Sequence, residues 1–137
     1  MNMNDVIRMR RLVDRPFEEA KLSATRHLLL SSLKDYQSGC SQSTLVRDTG
    51  VDRSTTAQTV KGMVRDGMVK KTRGKTLNGI KDNRITVIEI TARGTKYLDQ
   101  TSIIADKVEK MMIERVNPRR RQPFLDAIDD ILTGDPS

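Results

Sequence analysis

Apolar residues recur every three or four positions at the start of the chain, which is the spacing of an amphipathic helix. A first helix is predicted over residues 5–13, with the apolar positions Val6, Met9, Leu12 and Val13. Pro16 should break this helix or start a new one, because its ring removes a backbone donor. A second helix is predicted between the capping residue Ser23 and Gly39, with a buried face of Leu28, Leu29 and Leu33.

Two short helices separated by a tight turn follow. The first covers residues 42–49, beginning after Ser41 and ending at Gly50. The second covers residues 53–66 and begins after Asp52. Two helices with this spacing predict a helix-turn-helix.

The second helix of this pair combines an apolar stripe of Val60, Met63 and Val64 with a polar face. Short hydroxyls, an amide and cations suit a DNA groove, because they can contact phosphates and base edges. The candidate DNA-binding residues here are Arg53, Ser54, Thr55, Gln58, Lys61 and Arg65. An ordinary amphipathic surface helix has a similar pattern, so the flanking segment decides between the two interpretations.

After Gly67 the pattern changes to a period of two, which is typical of strands. Residues 68–73 and 84–91 predict two strands, and Asn78-Gly79 predicts a tight hairpin turn between them. A helix-turn-helix followed by such a hairpin is a winged helix. Cations on the wing can reach the minor groove or its phosphates, and the candidates are Lys75, Lys81 and Arg84.

Charge is concentrated in the predicted wing. The chain of 137 residues has 25 Lys and Arg against 18 Asp and Glu, and residues 67–97 hold 8 of the basic residues but 2 of the acidic ones. This excess favours a polyanionic partner, double-stranded DNA. The alternative is a winged helix that binds another protein. Such a surface usually has an apolar centre, which speaks against that alternative.

The remaining composition narrows the function classes. One Cys and one His leave too few ligands for a structural zinc site, and we expect no metal and no cofactor. No apolar run approaches the roughly 18 residues of a membrane helix, so we expect a cytoplasmic protein without a membrane partner. The sequence has no nucleophile elbow or phosphate loop, and we do not expect an enzyme. Oxidation sensing by Cys40 stays open.

The last third of the chain predicts two more helices. Thr91 can cap a long helix to about Val116, with the apolar positions Leu98, Ile103, Ile104, Val108, Met111 and Met112. A final helix follows Asn117-Pro118, and Pro123 either kinks it or delays its start. Its apolar residues are Phe124, Leu125, Ile128, Ile131 and Leu132. We expect them to pack with residues 5–13 of a twofold-related copy, because they exceed what a winged helix can cover.

Several motifs together resemble the MarR family of transcriptional regulators over about residues 22–133. Residues 51–55 and 63–69 are similar to the start and end of the family's recognition helix. Asp82-Asn83-Arg84, leading into residues 90–94, is similar to its wing signature. The expected fold is mainly α with a small β-hairpin wing, as one domain over residues 1–137. Its winged-helix core would be residues 22–94, and its dimerisation helices would be residues 1–21 and 95–137.

The resemblance implies a homodimer that acts as a repressor and reads a pseudo-palindromic operator with two recognition helices. It places Arg84 at the wing arginine and Asp82 at the acid that holds arginine in place. Thr56 and Thr59 depart from the large aliphatics usual in the family, and Gln58 stands where a basic residue is common.

The resemblance also implies a small organic effector between the dimer helices and the winged helix. The candidate lining residues are Met9, Leu12, Leu29, Met111 and Met112, for which plain core packing is the alternative.

Overall fold

The computed structural model describes residues 1–73 and 85–134, together with the backbone of residues 76–77 and 80–81. Its helices are α1 (Met3–Glu19), α2 (Ala24–Lys34), α3 (Gln42–Thr49), α4 (Arg53–Arg65), α5 (Ala92–Arg115) and α6 (Arg121–Thr133). Its strands are β1 (Val69–Arg73), β2 (Thr76–Leu77), β3 (Ile80–Lys81) and β4 (Thr86–Ile90), and a 3-10 turn covers Pro118–Arg120. The predicted fold, mainly α with a small hairpin, is confirmed.

The hairpin is antiparallel throughout the part that the structure describes. In β1 and β4, Val69 lies opposite Ile90 and Arg73 lies opposite Thr86. Further out, Leu77 of β2 pairs with Ile80 of β3. The predicted turn residues Asn78 and Gly79 lie between that pair in sequence and outside the described residues.

Side-chain caps start four of the helices as predicted. Ser23 accepts a hydrogen bond from the Arg26 amide at 3.1 Å, and Ser41 accepts one from the Thr44 amide at 3.2 Å. The caps of α4 and α5 are Asp52 and Thr91. Each cap satisfies a backbone donor that the first helical turn leaves free.

The core lies where α2, α3, α4, α5 and the hairpin meet. Its buried members include Leu29, Leu30, Leu33, Leu45, Val60, Met63, Val69, Ile88 and Leu98. The prediction for α2 was partly wrong, since Leu28 is 46% exposed and Leu30 is fully buried instead. Several elements pack against α2: α3, α4, α5 and β4. Its buried face therefore differs from the stripe expected for a helix that packs against a single partner.

The prediction that Gly39 ends α2 was wrong, because the helix already ends at Lys34. Gly39 has a φ of +80°, and a Cβ there would lie 2.5 Å from the Ile88 carbonyl oxygen. The next residue, Cys40, exchanges two backbone hydrogen bonds with Ile88. The glycine is therefore required by this close approach to β4.

Pro16 does not break α1, which continues to Glu19. Beyond the proline, Phe17 is buried, and its ring lies 5.9 Å from that of His27. Pro16 lacks a backbone N–H donor, but α1 remains helical beyond it because the helix packs against α5. Pro123, in contrast, lies in the first turn of α6, after the 3-10 turn, where no intrahelical donor is needed.

The apolar residues of the last two helices are only partly covered within one protomer. Ile103, on the predicted apolar stripe of α5, is 58% exposed. In α6 no residue is buried, and Ile131 and Leu132 are largely exposed.

Candidate nucleic-acid interface and effector cleft

The outer face of α4 presents most of the predicted DNA-binding residues to solvent. Ser54, Gln58, Lys61 and Arg65 are exposed and lie on one side of the helix, because they are spaced by three or four residues. Arg53 is exposed next to them at the first turn, and Thr55 is partly buried. These side chains therefore form one polar, basic stripe.

The inner face of α4 holds this stripe in place. Val60 and Met63 are fully buried, whereas Val64, predicted on the apolar stripe, is 38% exposed. Thr56 is also fully buried, and its hydroxyl donates to the Val51 carbonyl at 3.3 Å. The Thr59 hydroxyl donates to the Thr55 carbonyl at 2.7 Å. The two threonines thus satisfy their hydroxyls on nearby backbone.

Asp52 holds the N-terminus of α4. Its carboxylate accepts hydrogen bonds from the amide and the hydroxyl of Thr55, at 2.7 and 2.8 Å. These bonds, the amide first, hold the pKa of Asp52 below its ordinary value. The carboxylate also lies at the positive end of the helix dipole, so it stays ionised at neutral pH.

Asp66 connects the C-terminus of α4 to neighbouring elements. Its carboxylate accepts from Arg26 of α2 at 2.8 Å and from Arg65 at 3.3 Å. The Arg26 hydrogen bond is the main cause that lowers the pKa of Asp66. Arg93 of α5 donates to the Asp66 carbonyl at 3.1 Å. The junction between α4 and the wing is therefore braced from two helices.

The base of the wing is basic and accessible. Lys70, Lys71 and Arg73 of β1 are exposed. Lys81 lies in β3, where only its backbone is described. Of the other predicted wing residues, Lys75, Asp82 and Arg84 lie outside the described residues.

A cleft of about 580 Å³ lies behind α4. It is bounded by α1, the start of α2, the turn between α3 and α4, and the middle of α5, with lining residues that include Val13, Phe17, His27, Leu28, Val51, Asp52, Thr55, Val108, Glu109 and Met112. A cleft of this size suits a small organic ligand.

The structure does not bring the five predicted effector-contacting residues together. Met112 lines the cleft, whereas Leu29 is fully buried in the core. Met9 and Leu12 line a separate, smaller depression beside Arg115, and Met111 is partly exposed elsewhere on α5. Sequence reasoning missed Val13, Phe17 and Glu109 because no local pattern relates them to the α3–α4 turn.

The single cysteine of the chain, Cys40, is buried, and its single histidine, His27, is partly buried. The Cys40 thiol is buried, and burial raises its pKa to about 11, so it is protonated at neutral pH and a poor nucleophile. The Nδ1 atom of His27 lies 2.8 Å from the hydroxyl oxygen of Thr101. Burial lowers the pKa of His27, with Glu109 and Asp106 acting in the opposite direction.

In the part of the chain that the structure describes, no cluster of His, Cys, Asp and Glu side chains is arranged to hold a metal ion. Within the same residues, no helix combines the length and the apolar content needed to span a membrane.

Solved structures share this fold over nearly the whole chain. The PcaV transcriptional regulator from Streptomyces coelicolor, in complex with its natural ligand, has a TM-score of 0.79 at 18% identity, covering 93% of this chain and 89% of that one. MepR from S. aureus, bound to DNA, has a TM-score of 0.78 at 15% identity, covering 98% and 99%. Bordetella bronchiseptica BpsR, whose DNA binding is regulated by 6-hydroxynicotinic acid, has a TM-score of 0.77 at 16% identity, covering 95% and 93%. No curated protein sequence matches the chain.

The architecture and the exposed α4 define a winged helix-turn-helix protein. Residues 22–76 match the model of the MarR family, so this segment of the chain is similar to that family. The family recognised from the sequence motifs is thereby confirmed.

Proposed function

We propose that this chain is a cytoplasmic, sequence-specific transcriptional regulator, a repressor, that binds double-stranded DNA as a homodimer on a pseudo-palindromic operator. The observation that carries the proposal is the exposed stripe Ser54, Gln58, Lys61 and Arg65 on a helix whose other side is packed in the core. Helices presented in this way enter the major groove in helix-turn-helix proteins. The family of the matched domain is a regulator family, which supports the same function over catalysis.

Charge next to the stripe supports DNA as the partner. Lys70, Lys71 and Arg73 follow α4 within a few residues and are exposed. Lysine and arginine side chains of this kind neutralise phosphates and release counterions. The predicted wing residues Lys75, Lys81 and Arg84 would extend the contact into the minor groove, with Asp82 holding arginine in place.

Dimerisation is supported by apolar surface on the helices outside the winged helix. Ile7 of α1 and Ile131 and Leu132 of α6 are more than half exposed in the single protomer. Burying such side chains stabilises by about 1.5–3 kcal/mol each. A second copy related by a twofold axis would cover them and would present two recognition helices about 34 Å apart, one turn of B-DNA.

A small organic effector would bind the cleft behind α4. The support is its volume and the presence of Val51, Asp52 and Thr55 at its edge, since these residues form the start of α4. A ligand there contacts the segment that positions the recognition helix. Its effect on DNA binding equals its differential affinity for the two states.

The direct test is a gel shift with random and selected duplexes across salt concentrations. If a dimer neutralises about 6–10 phosphates, affinity should fall roughly 10³- to 10⁵-fold between 50 and 200 mM salt. Lys61→Ala should weaken binding to every duplex, because it removes a phosphate contact. Gln58→Ala should change the preference among duplexes, because glutamine reads base edges. Absent or salt-insensitive association would favour a protein partner instead.

A matched control is Lys110→Ala, which removes an exposed cation far along α5, where Lys110 pairs with Glu114 at 3.9 Å. This variant should bind DNA like the parent protein. Equal weakening by Lys110→Ala and Lys61→Ala would contradict the placement of the interface on α4.

A further inference from the structure

One wall of the effector cleft is apolar. Phe17 of α1, Leu28 of α2, and Val108 and Met112 of α5 contribute to it. Leu28 is 46% exposed, so the wall is accessible. An aromatic or aliphatic surface of this kind binds the body of a ligand but does not select its charge.

The ionisable side chains of the cleft are predominantly acidic. Asp14, Asp52 and Glu109 line it against a single cation, Arg10. Arg10 lies 3.4 Å from Asp14, so this pair is already neutralised. Asp52 and Glu109 remain, and Asp52 stays ionised because its hydrogen bonds hold its pKa low. The cleft thus presents negative charge to a bound molecule.

His27 also lines the cleft. Its Nδ1 lies 2.8 Å from the Thr101 hydroxyl oxygen, which itself lies 3.1 Å from the Leu98 carbonyl oxygen. Burial is the main cause that lowers the pKa of His27, so the imidazole does not offset the negative charge of the cleft at neutral pH.

We propose that this cleft selects a flat organic cation, an aromatic ring system with a protonated nitrogen, over ligands bearing a carboxylate. The ring lies on the apolar wall, and the carboxylates of Glu109 and Asp52 attract the protonated nitrogen. This inference rests on the proposed effector cleft and names the chemistry of its occupant.

The same site is coupled to DNA binding through Thr55. Thr55 lines the cleft and lies on α4 beside Ser54, and its hydroxyl donates to Asp52. A cation drawn toward Asp52 competes for the carboxylate that caps α4. The ligand therefore favours a state in which the first turn of α4 is displaced, and it lowers DNA affinity.

The test uses three compounds that share the quinoline ring system: 4-aminoquinaldine, which is protonated on its ring nitrogen at neutral pH, neutral quinaldine, and the carboxylate quinaldate. Binding to the full chain is measured by calorimetry at fixed pH and salt. We expect the cation to bind about tenfold more tightly than the carboxylate. Glu109→Gln should reduce that preference by about fivefold and leave quinaldine unchanged, because it removes one nearby charge. The matched control Glu114→Gln, on the same helix but outside the cleft, should leave all three affinities unchanged.

The proposal is overturned if quinaldate binds as tightly as the cation, if Glu109→Gln leaves the preference intact, or if none of the three compounds binds. DNA binding without any compound is measured separately by gel shift. Failure there overturns the proposed function, whereas the calorimetric preference tests the chemistry of the cleft on its own. A cation that binds with the expected preference but leaves the gel shift unchanged would overturn the coupling through Thr55.

Discussion

Gly94→Ala is expected to destabilise the junction between α5 and the wing. Gly94 lies in the first turn of α5 and is buried. A Cβ at this position would lie 2.1 Å from the Met68 carbonyl oxygen and 2.8 Å from Cγ1 of Ile90. Both contacts are shorter than 3.0 Å, a separation that real Cβ atoms essentially never show. The nearer contact is with backbone, so the start of α5 must move away from β1.

That movement disturbs the hydrogen bonds that join the two elements. The Thr91 amide donates to the Met68 carbonyl at 3.0 Å, and the Thr91 hydroxyl donates to the Gly67 carbonyl at 2.6 Å. Overpacking of this kind costs about 1–3 kcal/mol, and each weakened hydrogen bond costs about 1 kcal/mol. Alanine recovers about 1 kcal/mol through its better helix propensity. We expect a net loss of about 2–4 kcal/mol in the free energy of unfolding.

Urea unfolding at one fixed protein concentration measures this loss, because a dimer makes stability depend on concentration. Gly62→Ala is the matched control. A Cβ at Gly62 would lie 2.9 Å from Nη2 of Arg26, the far end of a flexible side chain that can move. Its stability should change by less than about 1 kcal/mol. A Gly94→Ala variant as stable as the parent, or a loss equal to that of Gly62→Ala, would refute the argument from the backbone clash.

Three further predictions concern the core and the titrating groups. Leu45→Ala should cost about 2–5 kcal/mol, measured in the same urea experiment, because Leu45 is fully buried; a loss below about 1 kcal/mol would mean that the site collapses around the smaller side chain. Iodoacetamide should modify Cys40 slowly in the folded protein at pH 7.5 and rapidly in urea, because burial raises the pKa of the thiol to about 11. Rapid modification of the folded protein would contradict this. Asp52 has a pKa below its ordinary value in the folded state, so its contribution is present above the unfolded pKa and is lost as the pH falls through the folded pKa. The stability gap between the parent and Asp52→Asn should therefore close on acidification, and a gap that stays constant to low pH would contradict the assignment.

Helix starts were predictable because their causes are local. Ser41, Asp52 and Thr91 each cap the helix that follows them. Gly50 ends α3 with a φ of +71°, which favours glycine over other residues. Such signals act within a few residues, so the sequence contains them completely.

Side-chain burial was less predictable where an element touches several others. Leu28 and Leu30 are both compatible with the helical pattern of α2, and only the packing against α3, α4, α5 and β4 decides that Leu30 is inside. Val64 has the same ambiguity at the end of α4. The prediction that Pro16 breaks α1 failed for a related reason. The contact of α1 with α5 stabilises the helix beyond the proline.

The order of helices, the hairpin and the basic, hydroxyl-bearing face of α4 were determined by the sequence alone, since periodicity, caps and charge are properties of neighbouring residues. The cleft was decided by tertiary structure. Phe17, His27, Asp52 and Glu109 come from four separate segments, and only their packing around one space gives them a common chemistry. Local patterns cannot specify such a site, because the distances that create it join residues far apart in the chain.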